Sequence, residues 1–198
     1  MNNFSAIILA AGESRRMGRP KLLLPWGRTT VLGQVVSTFA AAGLKDIIVV
    51  TGGAQELITN LVSDLAKSYP VRAVYNPKYA SGGMLSSIQT GLTSISTLSR
   101  AALIGLGDQP QVLEITVRQI CSAFIQTGSL LVIPSFQNQR GHPWLASRSL
   151  WSEILSLPTG STPSQFINNH TDRILYVESD KSILLDLDIP EDYANQRP

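Results

Sequence analysis

The chain has 198 residues, 43% of them hydrophobic, with a net charge of +2 and a single cysteine. This length and composition are sufficient for a packed hydrophobic core and exclude an intrinsically disordered chain, while one cysteine excludes an internal disulfide framework. The small net charge does not favour a nucleic-acid partner, and no apolar run approaches the ~18 residues of a membrane span, so we expect neither partner. The N-terminal segment does not resemble a secretory leader, and we therefore expect a cytoplasmic protein.

Apolar residues follow two kinds of spacing in the first half of the chain. Largely apolar segments at residues 4–9, 47–50 and 71–75 predict strands. Between these segments, apolar residues recur at helical spacing and predict helices over residues 31–42 and 57–65. Strands that alternate with helices through short connections favour parallel βαβ units, in which helices cover both faces of the sheet.

The loop between the first strand and the first helix, residues 9–21, contains small residues followed by cations. Ala10, Ala11 and Gly12 permit a sharp turn and the close approach of a ligand to backbone N–H groups. The charged residues of the loop are Glu13, Arg15, Arg16, Arg19 and Lys21. Such a loop at the carboxyl end of a first strand is typical of a polyphosphate site, and an ordinary solvated basic loop is the alternative. The spacing of its glycines does not match the dinucleotide-binding fingerprint G-x-G-x-x-G, and the loop lacks the G-K-[ST] run of a P-loop.

The loop sequence resembles the signature L-A-[AG]-G-x-x-x-R-M-G-x-x-K of nucleotidyltransferases that act on the molybdenum cofactor, the MobA-like NTP transferase domains. The resemblance implies a single α/β domain over residues 1–198, with a three-layer, Rossmann-like fold and a mostly parallel sheet. The implied nucleotide-binding residues of the loop are Leu9, Ala10, Ala11 and Gly12. Arg16 and Lys21 are the implied catalytic cations, which neutralise charge on the phosphates during transfer. We expect Lys21 to face solvent without ligand.

Two further loops follow strands and should open on the same edge of the sheet. The turn at residues 51–53 implies a nucleotide contact at Gly53. Residues 76–87 resemble the family loop N-P-x-[YW]-x-x-G-M-x-x-S, which contacts the base and ribose, and imply contacts at Gly82 and Ser87. The spacing here is one residue longer than in the family loop, so Gly83 and Ser86 stay open as alternatives to those two. A plain turn with serine caps is the non-functional interpretation.

Asp108 follows an apolar run at residues 101–106 that predicts a buried strand. A carboxylate at the end of such a strand needs a partner, and Mg²⁺ takes one or two carboxylates together with phosphate oxygens. The segment G-D-Q-P resembles the family motif G-D-x-P, which implies that Asp108 is catalytic and binds the metal. The alternative is that Asp108 caps a predicted helix over residues 113–127, whose apolar face includes Cys121 as a core residue.

The segment from Asp186 to Tyr193 is similar to the ending D-[IVL]-D-T-P-E-D-[YL] found across this group, with Ile189 in place of Thr. The resemblance implies that Asp188 is the second metal ligand, with Asp186 as the open alternative. The two aspartates are two positions apart, which in an uninterrupted strand places them on the same face, so Asp186 is expected to point away from Asp188 only if a turn intervenes. Glu191 and Asp192 are expected to open the last helix, where acids suit the helix dipole.

The remaining stretch carries weaker signals. Apolar runs predict strands at residues 130–134 and 174–177, and a helix is expected over residues 149–156. The segment G-H-P resembles one that faces the second substrate in the cytidylyltransferase branch, so His142 is expected to be structural or to contact substrate. His170 lies in a polar turn and carries no functional signal. Residues 157–169 lack the G-D-x-G-A-R segment of the cytidylyltransferases, which makes the acceptor less defined than the nucleotide.

The implied reaction is the attack of an acceptor phosphate on the α-phosphorus of a nucleoside triphosphate, with Mg²⁺ bound and pyrophosphate released. A-A-G at residues 10–12 resembles the CTP-using branch more than the GTP-using branch, and the implied acceptor is molybdopterin or the molybdenum cofactor. GTP, another phosphorylated metabolite, and a non-catalytic cofactor chaperone with a molybdoenzyme partner are the alternatives. A nicotinamide oxidoreductase is disfavoured because the dinucleotide fingerprint is missing.

Overall fold

A computed structural model describes residues 3–198, so the first two positions of the predicted domain 1–198 lie outside the described residues. The strands are β1 Phe4–Ala10, β2 Pro25–Trp26, β3 Thr29–Thr30, β4 Ile47–Thr51, β5 Val71–Tyr75, β6 Ala101–Leu106, β7 Leu131–Phe136, β8 Gln139–Arg140, β9 Trp144–Ser147 and β10 Ile174–Glu178. The helices are α1 Val31–Ala41, α2 Gln55–Leu65, α3 Gly83–Leu92, α4 Glu114–Thr127, α5 Trp151–Ser156, α6 Pro163–Asn168 and α7 Pro190–Gln196.

Eight strands form one sheet in the order β10-β7-β9-β6-β1-β4-β5, with β8 paired to β7, and β2 and β3 form a separate hairpin. β1 lies between β4 and β6 and runs parallel to both. From β1 the chain moves outward through β4 and β5 and then returns to the other side of β1 as β6. The carboxyl ends of β1 and β6 therefore mark the point where the strand order reverses, which is where α/β sheets bind ligands.

Side chains alternate between the two faces of β1, as a strand buried on both faces requires. Phe4, Ala6 and Ile8 join a core with α1, α2 and α4, and Ile7 joins a second core with α3, α5 and α6. α3 packs very closely on the sheet, because a Cβ added to Gly91 would lie 2.4 Å from Ile7 Cγ2. Helices thus cover both faces of a mostly parallel sheet, which confirms the predicted three-layer, Rossmann-like α/β class.

The predicted strands and long helices are confirmed to within about two residues at their ends, but several short features, β8 among them, were not predicted. β9 is a four-residue strand that runs antiparallel to both of its neighbours, β6 and β7. Its residues are mostly buried and apolar, so they do not show the alternation of polar and apolar side chains that would distinguish this strand from the helix that follows. The two-residue strands of the β2–β3 hairpin are too short to give a period.

α6 was missed although the sequence contains its start signal. Thr162 Oγ1 accepts from the Gln165 amide at 3.2 Å, and Gln165 Oε1 accepts from the Thr162 amide at 2.9 Å, which is a capping box with proline at the first position. The expected helix at residues 149–156 begins with a 3₁₀ turn at Arg148–Leu150, so α5 itself is shorter. His170 is buried against Phe166, and its Nε2 lies 2.8 Å from Glu153 Oε1, so it anchors α6 to α5.

Cys121 is fully buried in the core, as expected from its position on the apolar face of α4. Burial raises the pKa of its thiol to about 12, so it remains protonated and unreactive at neutral pH. Across residues 3–198, none of the helices combines the length and the apolarity that a bilayer span demands.

Candidate active site

A cavity of about 390 Å³ opens at the carboxyl ends of β1 and β6. These ends are held side by side, since Leu9 pairs with Leu106 and the Gly107 amide donates to the Leu9 carbonyl at 2.9 Å. The predicted residues that line the cavity are Leu9, Ala10, Ala11, Gly12, Lys21, Ser87, Asp108 and Asp188. Asp186, Tyr79, Gly83 and Met84 also line it. The structure therefore brings the cationic loop and the two proposed metal carboxylates to one edge of the sheet.

The cationic loop is fixed by one buried side chain and two left-handed residues. Met17, in a 3₁₀ turn at Arg15–Met17, is 5% exposed and packs into the core beneath the loop. Ser14 and Gly18 flank the turn with φ values of 53° and 65°. Gly18 adopts this conformation at little cost, which gives the G of the R-M-G signature a physical reason.

Lys21 lies between two carboxylates. Its Nζ forms an ion pair with Asp108 Oδ2 and lies 3.3 Å from Asp188 Oδ1, and its side chain is only 15% exposed. Arg16 donates from the outside to Asp188 Oδ2 at 2.9 Å, with its side chain 69% exposed. The expectation that Lys21 faces solvent is wrong, because the two aspartates draw its ammonium group into the cleft.

Asp186 belongs to the same cluster of acids. Residues 185–188 do not form a strand, and both Asp186 and Asp188 line the cavity, so no turn points Asp186 away from it. Burial raises the pKa of Asp186 and the nearby charge of Asp108 adds to this, while a hydrogen bond from Gln109 acts in the opposite direction. Sequence reasoning could not separate the two aspartates, because their orientation depends on contacts with the G-D-Q-P loop.

The acids of this cleft have the chemistry of a divalent-cation site. Asp108 and Asp188 converge on one point, which is shown by the single ammonium group that contacts both. Across residues 3–198, His, Cys, Asp and Glu side chains do not form a complete cage of three or more metal ligands. Two carboxylates without further protein ligands suit Mg²⁺, which takes its other oxygens from phosphates and water. The residues present therefore fit this ion.

The turn at residues 51–53 supports the cationic loop. The Gly53 amide donates to the Ala11 carbonyl at 3.1 Å, but Gly53 does not line the cavity. A Cβ added to Gly52 would lie 2.6 Å from the Ala11 carbonyl oxygen and 2.7 Å from Tyr79 Cβ. Glycine is therefore required where this turn, the first loop and the Tyr79 loop meet.

Asn76 organises the second loop from a buried position. Its Nδ2 donates to Ser86 Oγ at 2.8 Å and to Ser87 Oγ at 3.0 Å, and its Oδ1 accepts from the Lys78 amide at 2.9 Å. Ser87 faces the cavity, as predicted, whereas Ser86 Oγ donates to the Gly83 carbonyl within the first turn of α3. Gly83 rather than the predicted Gly82 lies at the cavity wall, and Gly82 packs against Ser86.

A second cavity of about 390 Å³ adjoins the first across Met84, which lines both. It is largely apolar, with walls that include Ile133, Trp144 and the start of α6. Its polar side chains are Arg140, His142, Thr162 and Ser164. Arg140 is oriented from two sides, since its guanidinium donates to Asn168 Oδ1 at 2.7 Å and to the Tyr176 hydroxyl at 2.9 Å.

His142 lies in this second cavity and not in the first. Burial lowers the pKa of His142 to about 4, and the charge of Asp108 acts in the opposite direction without reversing the shift. The imidazole is therefore neutral at neutral pH, which leaves Arg140 as the cationic side chain in the described wall of this cavity.

The lowered pKa predicts a pH dependence of stability. An unfolded histidine takes up a proton below about pH 6.5, whereas folded His142 does so only near pH 4, so acid favours the unfolded chain within this window. We expect the free energy of unfolding to fall by about 3 kcal/mol more in the wild type than in His142→Asn as the pH decreases from about 7 to about 4. Urea unfolding at several pH values measures this difference.

The chain has only two histidines, so NMR can follow the pKa of His142 directly, with His170→Asn used to assign the two signals. Parallel pH profiles for the wild type and His142→Asn, or a His142 signal that titrates near its ordinary value, would contradict the prediction.

Comparison with known proteins identifies relatives along most of the chain. Molybdenum cofactor cytidylyltransferase of Escherichia coli K12 is 28% identical over 197 residues, which covers 100% of this chain and 97% of that protein. Nicotine blue oxidoreductase of Paenarthrobacter nicotinovorans is 28% identical over 167 residues, covering 79% of this chain and 76% of that protein. A Mycobacterium tuberculosis H37Rv protein, crystallised in complex with manganese, superimposes with a TM-score of 0.74 at 26% identity, covering 98% and 97% of the two chains.

Residues 6–174 match the MobA-like NTP transferase domain, and the matched region contains the cationic loop, Asp108 and the Asn76 loop. The match confirms the resemblance that was read from residues 9–21. The chain therefore belongs to the family of MobA-like NTP transferase domains.

Proposed function

We propose that this protein is a divalent-metal-dependent nucleotidyltransferase that transfers CMP from CTP to molybdopterin or the molybdenum cofactor and releases pyrophosphate. The observation that carries the proposal is the convergence of Lys21, Asp108 and Asp188 at the carboxyl ends of β1 and β6. Cations and acids at one point suit a reaction in which polyanionic phosphates and a metal ion share the same cleft. The full-length relative from Escherichia coli supports the choice of acceptor.

In this proposal the nucleotide lies along the first cavity. The backbone of residues 9–12 and the Ser87 hydroxyl bind the base and ribose, with Gly12 next to the cationic turn. Gly53 supports this backbone through its bond to Ala11, and Gly82 shapes the turn before α3. Arg16 and Lys21 bind the triphosphate, where they offset the charge that develops on the leaving pyrophosphate.

Asp108 and Asp188 would hold the metal, and Asp186 lies beside them in the cleft. A bound Mg²⁺ or Mn²⁺ supplies charge neutralisation at the reacting phosphates and fixes their orientation. Lys21 must then shift its ammonium group from the two carboxylates toward the phosphates, since it occupies the position between the carboxylates here. The long, flexible lysine side chain permits such a shift within the cleft.

The acceptor is assigned to the second cavity, which adjoins the first at Met84. Its apolar walls suit a flat ring system, and Arg140 provides a cation for an acidic group. A phosphate monoester has a second pKa near ~6 and is already ionised at neutral pH, so its oxygen needs no general base. Neutral His142 fits this scheme as a contact for the acceptor rather than as a proton acceptor. Positioning and charge then provide the catalysis.

The proposal predicts that CTP is preferred to GTP. Ala11 lines the cavity, and its methyl group reduces the space available to a purine beside the backbone of residues 9–12. One methyl group in a pocket changes selectivity by about 10–200-fold, so we expect Ala11→Gly to lower the CTP:GTP preference by no more than this factor. Pyrophosphate release from a panel of nucleoside triphosphates, with Mg²⁺ and molybdopterin or the molybdenum cofactor, measures both quantities.

The same panel separates the alternatives. A preference for GTP over CTP, together with an unchanged CTP:GTP preference in Ala11→Gly, would contradict the assignment of cytosine as the base. Pyrophosphate release with another phosphorylated metabolite but not with molybdopterin would contradict the acceptor alone. Binding of the molybdenum cofactor without pyrophosphate release would indicate a chaperone that delivers the cofactor to a molybdoenzyme.

A further inference from the structure

Gln109 is a buried polar residue that directly follows Asp108 and is 3% exposed. Its Nε2 donates to Asp186 Oδ1 at 2.8 Å and to the Ile183 carbonyl at 3.3 Å. One amide group therefore connects the end of β6, which carries Asp108, to the segment that carries Asp186 and Asp188. The same Ile183 carbonyl accepts from the His142 amide at 3.2 Å, so the contact also reaches the wall of the second cavity.

The orientation of this amide follows from its partners. Both atoms near Nε2 are acceptors, a carboxylate oxygen and a carbonyl oxygen, and the reversed orientation would place Gln109 Oε1 against them. With Nε2 so placed, Oε1 is buried and has no hydrogen-bond partner among the described residues. A buried oxygen without a partner lowers stability, which offsets what the two hydrogen bonds from Nε2 contribute.

The three aspartates of the cleft provide a reason for the hydrogen bond between Gln109 and Asp186. Asp186 lines the same cavity as Asp108 and Asp188, and the like charges of these carboxylates repel one another. A fixed donor at 2.8 Å holds Asp186 in the cluster in spite of this repulsion. Partners of this kind, which orient the acids of a metal site, usually change metal affinity by about 10–100-fold.

We propose that Gln109 is a positioning residue that orients Asp186 toward the metal cleft. By doing so it increases the affinity of the cleft for a divalent cation. This inference rests on the proposed function, because it requires the cleft to hold the metal. Gln109 itself is placed behind the acids, outside the described lining of the cavity, and acts through Asp186.

The test measures Mn²⁺ binding to the full chain without nucleotide, by calorimetry or by the EPR signal of the free ion. Gln109→Met keeps the length of the side chain and removes both the donor and the unpartnered oxygen. We expect the Kd for Mn²⁺ to rise by about tenfold or more with only a small change in Tm, because removal of the unpartnered oxygen offsets the loss of two hydrogen bonds. A lower Tm with an unchanged Kd would show a purely structural residue and overturn the proposal.

Gln111 provides a matched control two residues along the chain. Its Nε2 contacts Gln196 Oε1 rather than an acid of the cluster, and its own Oε1 is also buried without a described partner. Gln111→Met should leave the Kd for Mn²⁺ unchanged. An equal rise in both variants would overturn the specific role of Gln109.

The mechanism is tested by combining Gln109→Met with Asp186→Asn. If Gln109 acts through Asp186, the double variant binds Mn²⁺ as weakly as Asp186→Asn alone, because the two effects are not independent. Additive effects would overturn the route through Asp186. A wild-type protein that binds no Mn²⁺ would overturn the proposed metal site together with this inference, whereas binding that is equal in wild type and Gln109→Met would overturn this inference alone.

Discussion

Lys21→Met is expected to lower kcat for pyrophosphate release by roughly 10²–10³, the usual effect of removing one donor to a developing charge. Lys21 is the cation that reaches deepest into the cleft and contacts Asp108 and Asp188 together. Methionine keeps most of the aliphatic side chain, so the loss reports on the ammonium group. The measurement is single-turnover pyrophosphate release at saturating nucleotide, which separates the chemical step from binding.

The same substitution is expected to lower stability by about 1–3 kcal/mol, because it leaves the mostly buried Asp108 carboxylate without its cation, whereas Asp188 keeps its contact with Arg16. Arg28→Met is the control, since Arg28 is an exposed cation in the turn between β2 and β3, outside the site. It should leave both kcat and Tm unchanged. Full kcat in a folded Lys21→Met variant would remove Lys21 from the mechanism, whereas an unchanged Tm would show that the ion pairs do not stabilise the fold.

Asp108→Asn and Asp188→Asn are each expected to lower kcat by about 10³-fold or more. Amide groups keep the shape but remove the charge that would hold the metal, and a metal ion supplies several kcal/mol of stabilisation at the reacting phosphates, at about 1.4 kcal/mol per tenfold in rate. Asp186→Asn is expected to have a smaller but clear effect, because Asp186 lies in the same cleft and contacts Gln109. Rates measured over a range of Mg²⁺ concentrations distinguish weakened metal binding from lost chemistry.

Asp172→Asn serves as the control for the loss of one negative charge, because the Asp172 side chain is 78% exposed and lies outside the described cavity lining. Retained activity in Asp188→Asn together with strong loss in Asp186→Asn would reverse the assignment of the second ligand. Retained activity in Asp108→Asn would leave Asp108 as a structural partner of Lys21 only.

The sequence was sufficient to predict features that depend on neighbouring residues. The apolar run of β1, the small residues at Ala10 to Gly12 and the cations that follow all lie within one short stretch. The position of Asp108 follows directly from the end of β6, a strand that its apolar run predicts. Because parallel strands share one edge, these local predictions also bring the loop and Asp108 together.

Features that depend on distant contacts could not be predicted in this way. Lys21 is drawn into the cleft by Asp108 and by Asp188, which lies 167 residues later in the chain. Asp186 faces the same cleft because Gln109 holds it, 77 residues away along the chain. Contacts between residues so far apart along the chain leave no periodic signal in the sequence. The burial of Lys21 and the orientation of Asp186 are therefore visible only in the structure.

The pairing of β1 with β6 has a consequence for how the protein folds. The cationic loop follows β1, and Asp108 follows β6, so the two parts of the candidate site come from opposite halves of the chain. Closing such a long segment of chain costs entropy before any contact compensates for it, which makes long-range parallel pairing slow. Neither half can assemble the cleft alone, so a nascent or partly refolded chain has no complete cleft until its central strands have met.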